Sequence, residues 1–247
     1  MRSVDMALDA ALLVMQNGGS TVAADRTFSN VLKGCGTDGV AAVWRLDFVA
    51  LRAQAESDLS PVIRPVGKTE VNLLRESEAI VLAERLARRE IAAADFGEEL
   101  ERIKKLPSPY NRWVMIAAAA CAAGSFSRVA GGDWGSFGIG FVAAAVGQFF
   151  RSMLHANKVA VAPVTLVCGA LSAFIAGAGL HLGYSQVGPA TLIASVVYMV
   201  PGLPLINGLI DMVSHKYLLV GIERMLNAAF LFLVLAIAIA IADALIL

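Results

Sequence analysis

The sequence predicts a membrane protein in which an α+β domain precedes an all-α bundle of five transmembrane helices. Of the 247 residues, 57% are hydrophobic and the mean hydropathy is +0.69, which is too apolar for an ordinary soluble domain. The charges are also unevenly spread: residues 1–112 hold 15 Lys/Arg and 16 Asp/Glu, whereas residues 113–247 hold only 5 and 4. We therefore expect a soluble domain over residues 1–108 and a transmembrane domain over residues 109–247.

Helical and alternating hydrophobic patterns predict the elements of the soluble domain. Gly18 and Gly19 separate a first helix from a second, which Ser20 or Thr21 can cap and which runs to about Lys33. Runs rich in β-branched and aromatic residues then predict three strands. The predicted elements are helices over Ser3–Gln16, about 21–33, 70–90 (capped by Thr69) and 95–106 (capped by Asp95), and strands over Val40–Trp44, Phe48–Arg52 and Val62–Val66, the last an edge strand flanked by Pro61.

The soluble domain shows no pattern typical of an enzyme. It contains no histidine, phosphate-binding loop, nucleophile–base pair or metal-ligand spacing, so we predict no catalysis, cofactor or metal. Asp25–Arg26 and Glu98–Glu99–Glu101 are interpreted as solvated helix faces. The three cysteines are far apart in sequence and predict no disulfide framework. A formal net charge of zero gives no indication of a nucleic-acid partner.

Five apolar segments follow, each close to the roughly 20 residues needed to cross the hydrocarbon core of a bilayer. Basic residues cluster before the first segment and in two of the later connections, and only Arg128 lies on the other side. By the positive-inside rule the N-terminal domain is cytoplasmic, and five spans place the C-terminus outside. The segments are Trp113–Ala130, Trp134–Leu154, Val159–Leu182, Gly188–Ile210 and Gly221–Leu247.

The fourth segment is unusual because Pro201, Gly202 and Pro204 interrupt its helix. Discontinuous helices of this kind form binding sites near the midplane of many transporters. Polar residues follow the break, and polar groups at membrane depth are costly enough to be candidate functional residues. The predicted substrate-binding residues are Pro201, Gly202, Pro204, Asn207, Asp211 and Arg224.

These residues allow a functional and a structural interpretation. Asn207 and Asp211 are four residues apart and share a helix face, and the Arg224 guanidinium can bind a carboxylate in a bidentate manner. In the structural interpretation, the prolines form a plain kink and Asp211 pairs only with Arg224. A dicarboxylate cargo would need a second cation, for which Arg128 and Arg151 are candidates.

The segment resembles the signature of the threonine/serine exporter (ThrE) superfamily, Pro-Gly-x-Pro-Leu-Ile-Asn-x-x-x-Asp followed by a small residue and an arginine. Here these positions are Pro201 to Asp211, then Gly221 and Arg224. Gly18-Gly19-Ser20-Thr21 with Asp25 is similar to an N-terminal element of the same family. Ala23 stands where fused members often have arginine, a departure that favours the split form.

The resemblance implies the larger (YjjP-like) subunit of a split bacterial succinate exporter, which works with a small membrane partner subunit (YjjB-like). The implied function is export of succinate or similar dicarboxylates across the inner membrane, in a homo- or hetero-oligomer. Export of threonine and serine is the alternative, because Asp211 and Arg224 could together bind a zwitterion. A membrane sensor or assembly subunit that transports nothing is the third possibility.

Overall fold

A computed structural model describes residues 2–53 and 62–246. The chain forms two compact units: residues 1–109 with 202–226, and residues 110–201 with 227–247. The first unit thus includes the charged part of the fourth and fifth apolar segments as well as the N-terminal region.

Four helices from the N-terminal region build most of the first unit. They are α1 (Arg2–Gln16), α2 (Thr21–Gly34), α3 (Leu73–Ala87) and α4 (Ala93–Lys104). Ser20 caps α2 by accepting a hydrogen bond from the Ala23 N–H at 3.2 Å, as the sequence predicts. The core between the helices is formed by large, fully buried side chains, among them Leu8, Phe28, Leu86, Phe96 and Ile103.

The predicted caps of the next two helices are wrong. Asn72, not Thr69, caps α3, because its side-chain oxygen accepts from the Arg75 N–H at 3.2 Å. Residues 70–72 precede the helix, and the N–H groups of Glu70 and Asn72 bond back to the end of α1 and the residue after it. Asp95 lies inside the first turn of α4, where a negative charge favours the helix dipole, and Ala92 occupies the cap position.

The three predicted strands form one antiparallel sheet in the order β1–β2–β3. They span Val40–Trp44, Phe48–Ala53 and Val62–Pro65, close to the predicted bounds. Alternate residues of the first two strands, including Trp44, Val49 and Leu51, are buried against the helices. Pro65 closes the last strand at the sheet edge, whereas Pro61 lies outside the described residues.

Helices build the second unit. They are α5 (Arg112–Val129), α6 (Trp134–Ala156), α7 (Val161–His181), α8 (Gly188–Val196) with a 3₁₀ turn over Val197–Met199, and the later part of α10 (Leu218–Ile246). Glycines allow close helix packing here. A Cβ at Gly124 would lie 3.0 Å from the Phe137 carbonyl oxygen, and one at Gly169 would lie 2.9 Å from the Leu235 side chain.

Three helices in the described residues are long and apolar enough to cross a membrane: α6, α7 and α10. A fourth is counted if Gly188–Met199 and α9 (Gly202–Val213) form one interrupted span. The 18-residue helix α5 is not in this set. The length and composition of the helices are therefore those of a membrane protein, with three or up to four such spans.

The interruption of the fourth segment lies between Met199 and Gly202, and Pro201 stands in it. The prediction that Pro204 also breaks the helix is wrong. Pro204 lies in the first turn of α9, where the missing N–H has no partner inside the helix in any case. One proline thus interrupts the segment and the other begins the next helix.

Candidate functional site

Two stretches that are about 190 residues apart in sequence meet in the first unit. One is Gly18–Asp25, the loop and first turn of α2; the other is Asn207–Arg224, the end of α9 and the start of α10. We call the contact between them the motif junction. It contains three of the predicted substrate-binding residues, Asn207, Asp211 and Arg224, and lies wholly within this unit.

Asp211 lies at the centre of the motif junction and is completely buried, with 0% exposure. One carboxylate oxygen, Oδ1, accepts a hydrogen bond from the backbone N–H of Val22 at 3.2 Å. The other, Oδ2, accepts from Nε of Arg224 at 3.0 Å. Val22 is in the first turn of α2, so the carboxylate satisfies an N–H that has no acceptor within the helix and complements the positive end of its dipole.

Arg224 binds the same helix start from the other side. Its Nη2 donates to the Gly19 carbonyl at 3.3 Å and to the Thr21 hydroxyl at 3.5 Å, while Nε binds Asp211. Only 13% of the side chain is exposed. The guanidinium therefore joins α10, α9 and the start of α2, and Asp211 balances its charge.

Asn207 fixes the loop before α2 by donating to the Gly18 carbonyl at 2.7 Å. Gly18 has φ +105, a backbone conformation that side chains with a Cβ rarely adopt. A Cβ there would also lie 2.8 Å from Leu203 in the first turn of α9. Glycine at position 18 therefore permits both the turn and the close approach of α9.

The helices α9 and α10 approach each other through two glycines. A Cβ on Gly221 would lie 2.7 Å from the Gly208 carbonyl oxygen, and one on Gly208 would lie 3.2 Å from the Gly221 carbonyl oxygen. Each glycine lies three residues, or nearly one turn, before the charged residue of its own helix. The close approach of the two backbones there allows Arg224 to reach Asp211. Gly208 therefore accommodates a second helix of the same chain.

Asp25 extends the motif junction by one turn of α2. Its carboxylate accepts from Trp44 Nε1 at 2.7 Å and from Lys216 Nζ at 2.8 Å, so its interpretation as a solvated residue is wrong. Burial, with the neighbouring Asp25 carboxylate, raises the pKa of the Tyr217 phenol, which stays neutral. Glu223 makes a separate ion pair, 3.4 Å from Arg45.

The remaining predicted site residues lie at the helix break. Gly202 and Pro204 are in the first turn of α9, next to the Leu203 side chain that contacts Gly18. Pro201 belongs to the second unit.

Sequence reasoning missed the roles of Gly19, Thr21 and Val22 in this site. The Gly-Gly-Ser-Thr stretch was the available signal, since it lies at a helix start where N–H groups lack acceptors. Nothing in its local pattern, however, indicates a partner about 190 residues away.

Chemically, the motif junction is a carboxylate site that the chain itself occupies. An arginine and a helix N-terminus bind an anion, and the anion present is Asp211. Among the residues that the structure describes, no group of three or more His, Cys, Asp or Glu side chains is placed to hold a metal ion.

The chain is similar to known proteins over most of its length. The profile of the ThrE family, described as "Putative threonine/serine exporter", matches residues 5–246. The "Probable succinate transporter subunit YjjP" of Klebsiella aerogenes is 21% identical over 84% of this chain and 80% of its own length. The protein of the same name in Escherichia coli K12 is 24% identical, with the same two coverages.

A third relative is longer. The "Probable threonine/serine exporter" of Mycobacterium tuberculosis is 23% identical over 92% of this chain, which covers only 43% of that protein. No solved structure matches the chain significantly. The family match includes both stretches of the motif junction and nearly every other residue, and on this ground the chain belongs to the ThrE family of transporters.

Proposed function

We propose that this chain is a subunit of a bacterial inner-membrane exporter of small carboxylates, with succinate or a similar dicarboxylate as cargo. The single observation that carries the proposal is the motif junction, in which a buried arginine and a helix N-terminus hold a carboxylate. A site of this chemistry, in a chain with at least three helices able to cross a membrane, suits the transport of carboxylates.

In the proposed topology, α5 is a further transmembrane helix. Its 18 residues would extend about 27 Å, close to the thickness of the hydrocarbon core. With α6, α7, the interrupted pair and α10 this gives five crossings, a cytoplasmic N-terminal domain and an external C-terminus. The residues of the break and of the motif junction, Pro201 to Asp211 with Arg224, would then form the substrate-facing element at the cytoplasmic side.

The relatives that are named as transporter subunits support a role as one subunit. The chain covers 80% of the relatives named as succinate transporter subunits but 43% of the threonine/serine exporter. We propose that a small membrane subunit of the YjjB-like type supplies the remaining helices in a hetero-oligomer. Threonine or serine export is the second candidate, because Asp211 and Arg224 offer both charges that a zwitterion requires.

Reconstitution tests the proposal. Proteoliposomes that contain the full chain and its small partner should release labelled succinate faster than threonine, and vesicles with either subunit alone should release neither. Faster release of threonine would favour the second candidate. If no release of either compound occurs with both subunits present, the chain is not an exporter of this class.

A further inference from the structure

The second unit contains a partly buried cation that no carboxylate in the described residues balances. Arg151 lies on α6, five residues before its end, and donates from Nη1 to the backbone carbonyl of Tyr198 at 3.1 Å. This bond to the 3₁₀ turn holds the side chain against protein instead of extending it to the membrane surface, as a snorkelling arginine would do. A guanidinium has five N–H donors, and most of those of Arg151 have no acceptor in the described residues.

The carboxylates of the second unit cannot neutralise Arg151. The unit has two in its sequence, Asp133 and Asp243. Asp133 caps the far end of the same helix, where it accepts from the Ser136 N–H, and its separation of eighteen positions from Arg151 corresponds to about 27 Å. Asp243 is exposed near the end of α10 and forms no ion pair in the described residues.

A second unsatisfied polar group stands one turn earlier on α6. The amide oxygen of Gln148 is buried without a hydrogen-bond partner in the described residues, and the residue is only 9% exposed. Residues three apart are neighbours on a helix surface, so Gln148 and Arg151 share one face. Because the oxygen and nitrogen of an amide are interchangeable in assignment, Gln148 can equally present N–H donors to an anion.

The surrounding hydroxyl groups satisfy one another and leave the arginine free. Ser172 Oγ donates to the Ala143 carbonyl at 3.0 Å, and the Tyr198 hydroxyl bonds Ser172 at 3.0 Å. Both hydroxyls lie against the backbone of Gly147, where a Cβ would overlap the Tyr198 oxygen. This packing fixes the turn that carries the Tyr198 carbonyl, and thereby positions Arg151.

We propose that Arg151, with Gln148, binds a carboxylate of the exported compound. The inference rests on the proposed export function and decides between its two cargo classes. Arg224 is already balanced by Asp211, so the unpaired charge of Arg151 gives the second unit a net positive site of its own. An anion with a net negative charge balances it, whereas a zwitterionic amino acid brings an ammonium group that the site repels. The cargo is therefore a carboxylate with net negative charge.

The test compares variants in the reconstituted two-subunit system. Arg151→Gln should raise the KM for succinate on the order of tenfold or more, the loss expected for a charge-assisted hydrogen bond. The KM of Arg151→Lys for succinate should lie between the values of Arg151→Gln and the unaltered chain, since lysine keeps the charge but not the forked geometry. Arg128→Gln is the matched control, because Arg128 lies over the Trp134 ring and donates to the Gly132 carbonyl.

An unchanged succinate KM in Arg151→Gln would overturn the inference and leave the proposed function intact, whereas absence of transport by the unaltered pair would overturn the function itself. If the Arg151→Gln variant does not reach the membrane, the preference for anions is tested by inhibition of the unaltered transporter with competing compounds. Succinate should inhibit uptake of labelled succinate strongly, monomethyl succinate weakly, and dimethyl succinate and threonine very little. Equal inhibition by threonine and succinate would contradict a site for anions.

Discussion

Replacement of Asp211 by alanine should abolish export and leave the chain poorly folded. The change removes the carboxylate that balances Arg224 and satisfies the Val22 N–H, in a position with no exposure to solvent. Loss of one member of a buried ion pair costs about 3–5 kcal/mol, a large part of the stability of a typical domain. Size-exclusion profiles of the solubilised chain after heating, together with succinate efflux, measure both effects.

The double variant Asp211→Leu/Arg224→Met separates the structural role of the ion pair from its role in transport. Apolar side chains of similar size often replace a buried ion pair without loss of stability, so this variant should recover much of the folded fraction. Export should not recover if the pair takes part in binding. Asp243→Ala, at an exposed carboxylate of α10, is the matched control and should resemble the unaltered chain. Normal export by the double variant would show that the pair is only structural.

Replacement of Gly221 by valine should disrupt the motif junction without removing any charge. A Cβ at this position would lie 2.5 Å from Met212 Cγ and 2.7 Å from the Gly208 carbonyl oxygen. The methionine can move, but the backbone oxygen cannot, so α9 and α10 must separate and Arg224 loses its reach to Asp211. We expect a loss of stability at or above the usual value of about 1–3 kcal/mol for overpacking, and a matching loss of export.

Gly97→Ala is the control for this substitution. Gly97 lies on α4, and a Cβ added there would have no neighbouring atom within 4 Å, so alanine should raise stability by about 0.5–1 kcal/mol through its helix propensity. Melting curves of the two variants, followed by tryptophan fluorescence, should therefore shift in opposite directions. Equal melting temperatures would contradict the close crossing of α9 and α10.

The sequence predicted most of the elements, because local signals determine them. The glycine pair before Ser20, the β-branched runs and the apolar segments indicated helix and strand positions within a few residues. The family was also predicted from residues, and the match over 5–246 confirms it. Errors arose where two signals competed, as at Thr69 and Asn72, since either residue type can cap a helix and only the tertiary contacts of residues 70–72 favour Asn72.

The candidate site could be predicted only in part. The free-energy cost of polar groups in an apolar segment identifies Asn207, Asp211 and Arg224 as candidates. It does not identify the residues that contact them. The helix that carries Asp25 gives no local reason for its burial. Trp44 and Lys216, which donate hydrogen bonds to it, come from other parts of the chain. Long-range pairing of this kind has no signature in the local pattern of a single sequence.

The motif junction also has a consequence for the order in which the protein is made. The first turn of α2 receives its carboxylate from a residue 189 positions later, and Tyr217 and Val220 complete the apolar core around α1 and α2. At roughly 5–20 residues per second, a ribosome needs about 10–40 s to synthesise that interval. The N-terminal region therefore emerges with an incomplete core, which the chain can complete only after the start of α10 has been synthesised. In this protein, folding of the first unit is a late event of biogenesis.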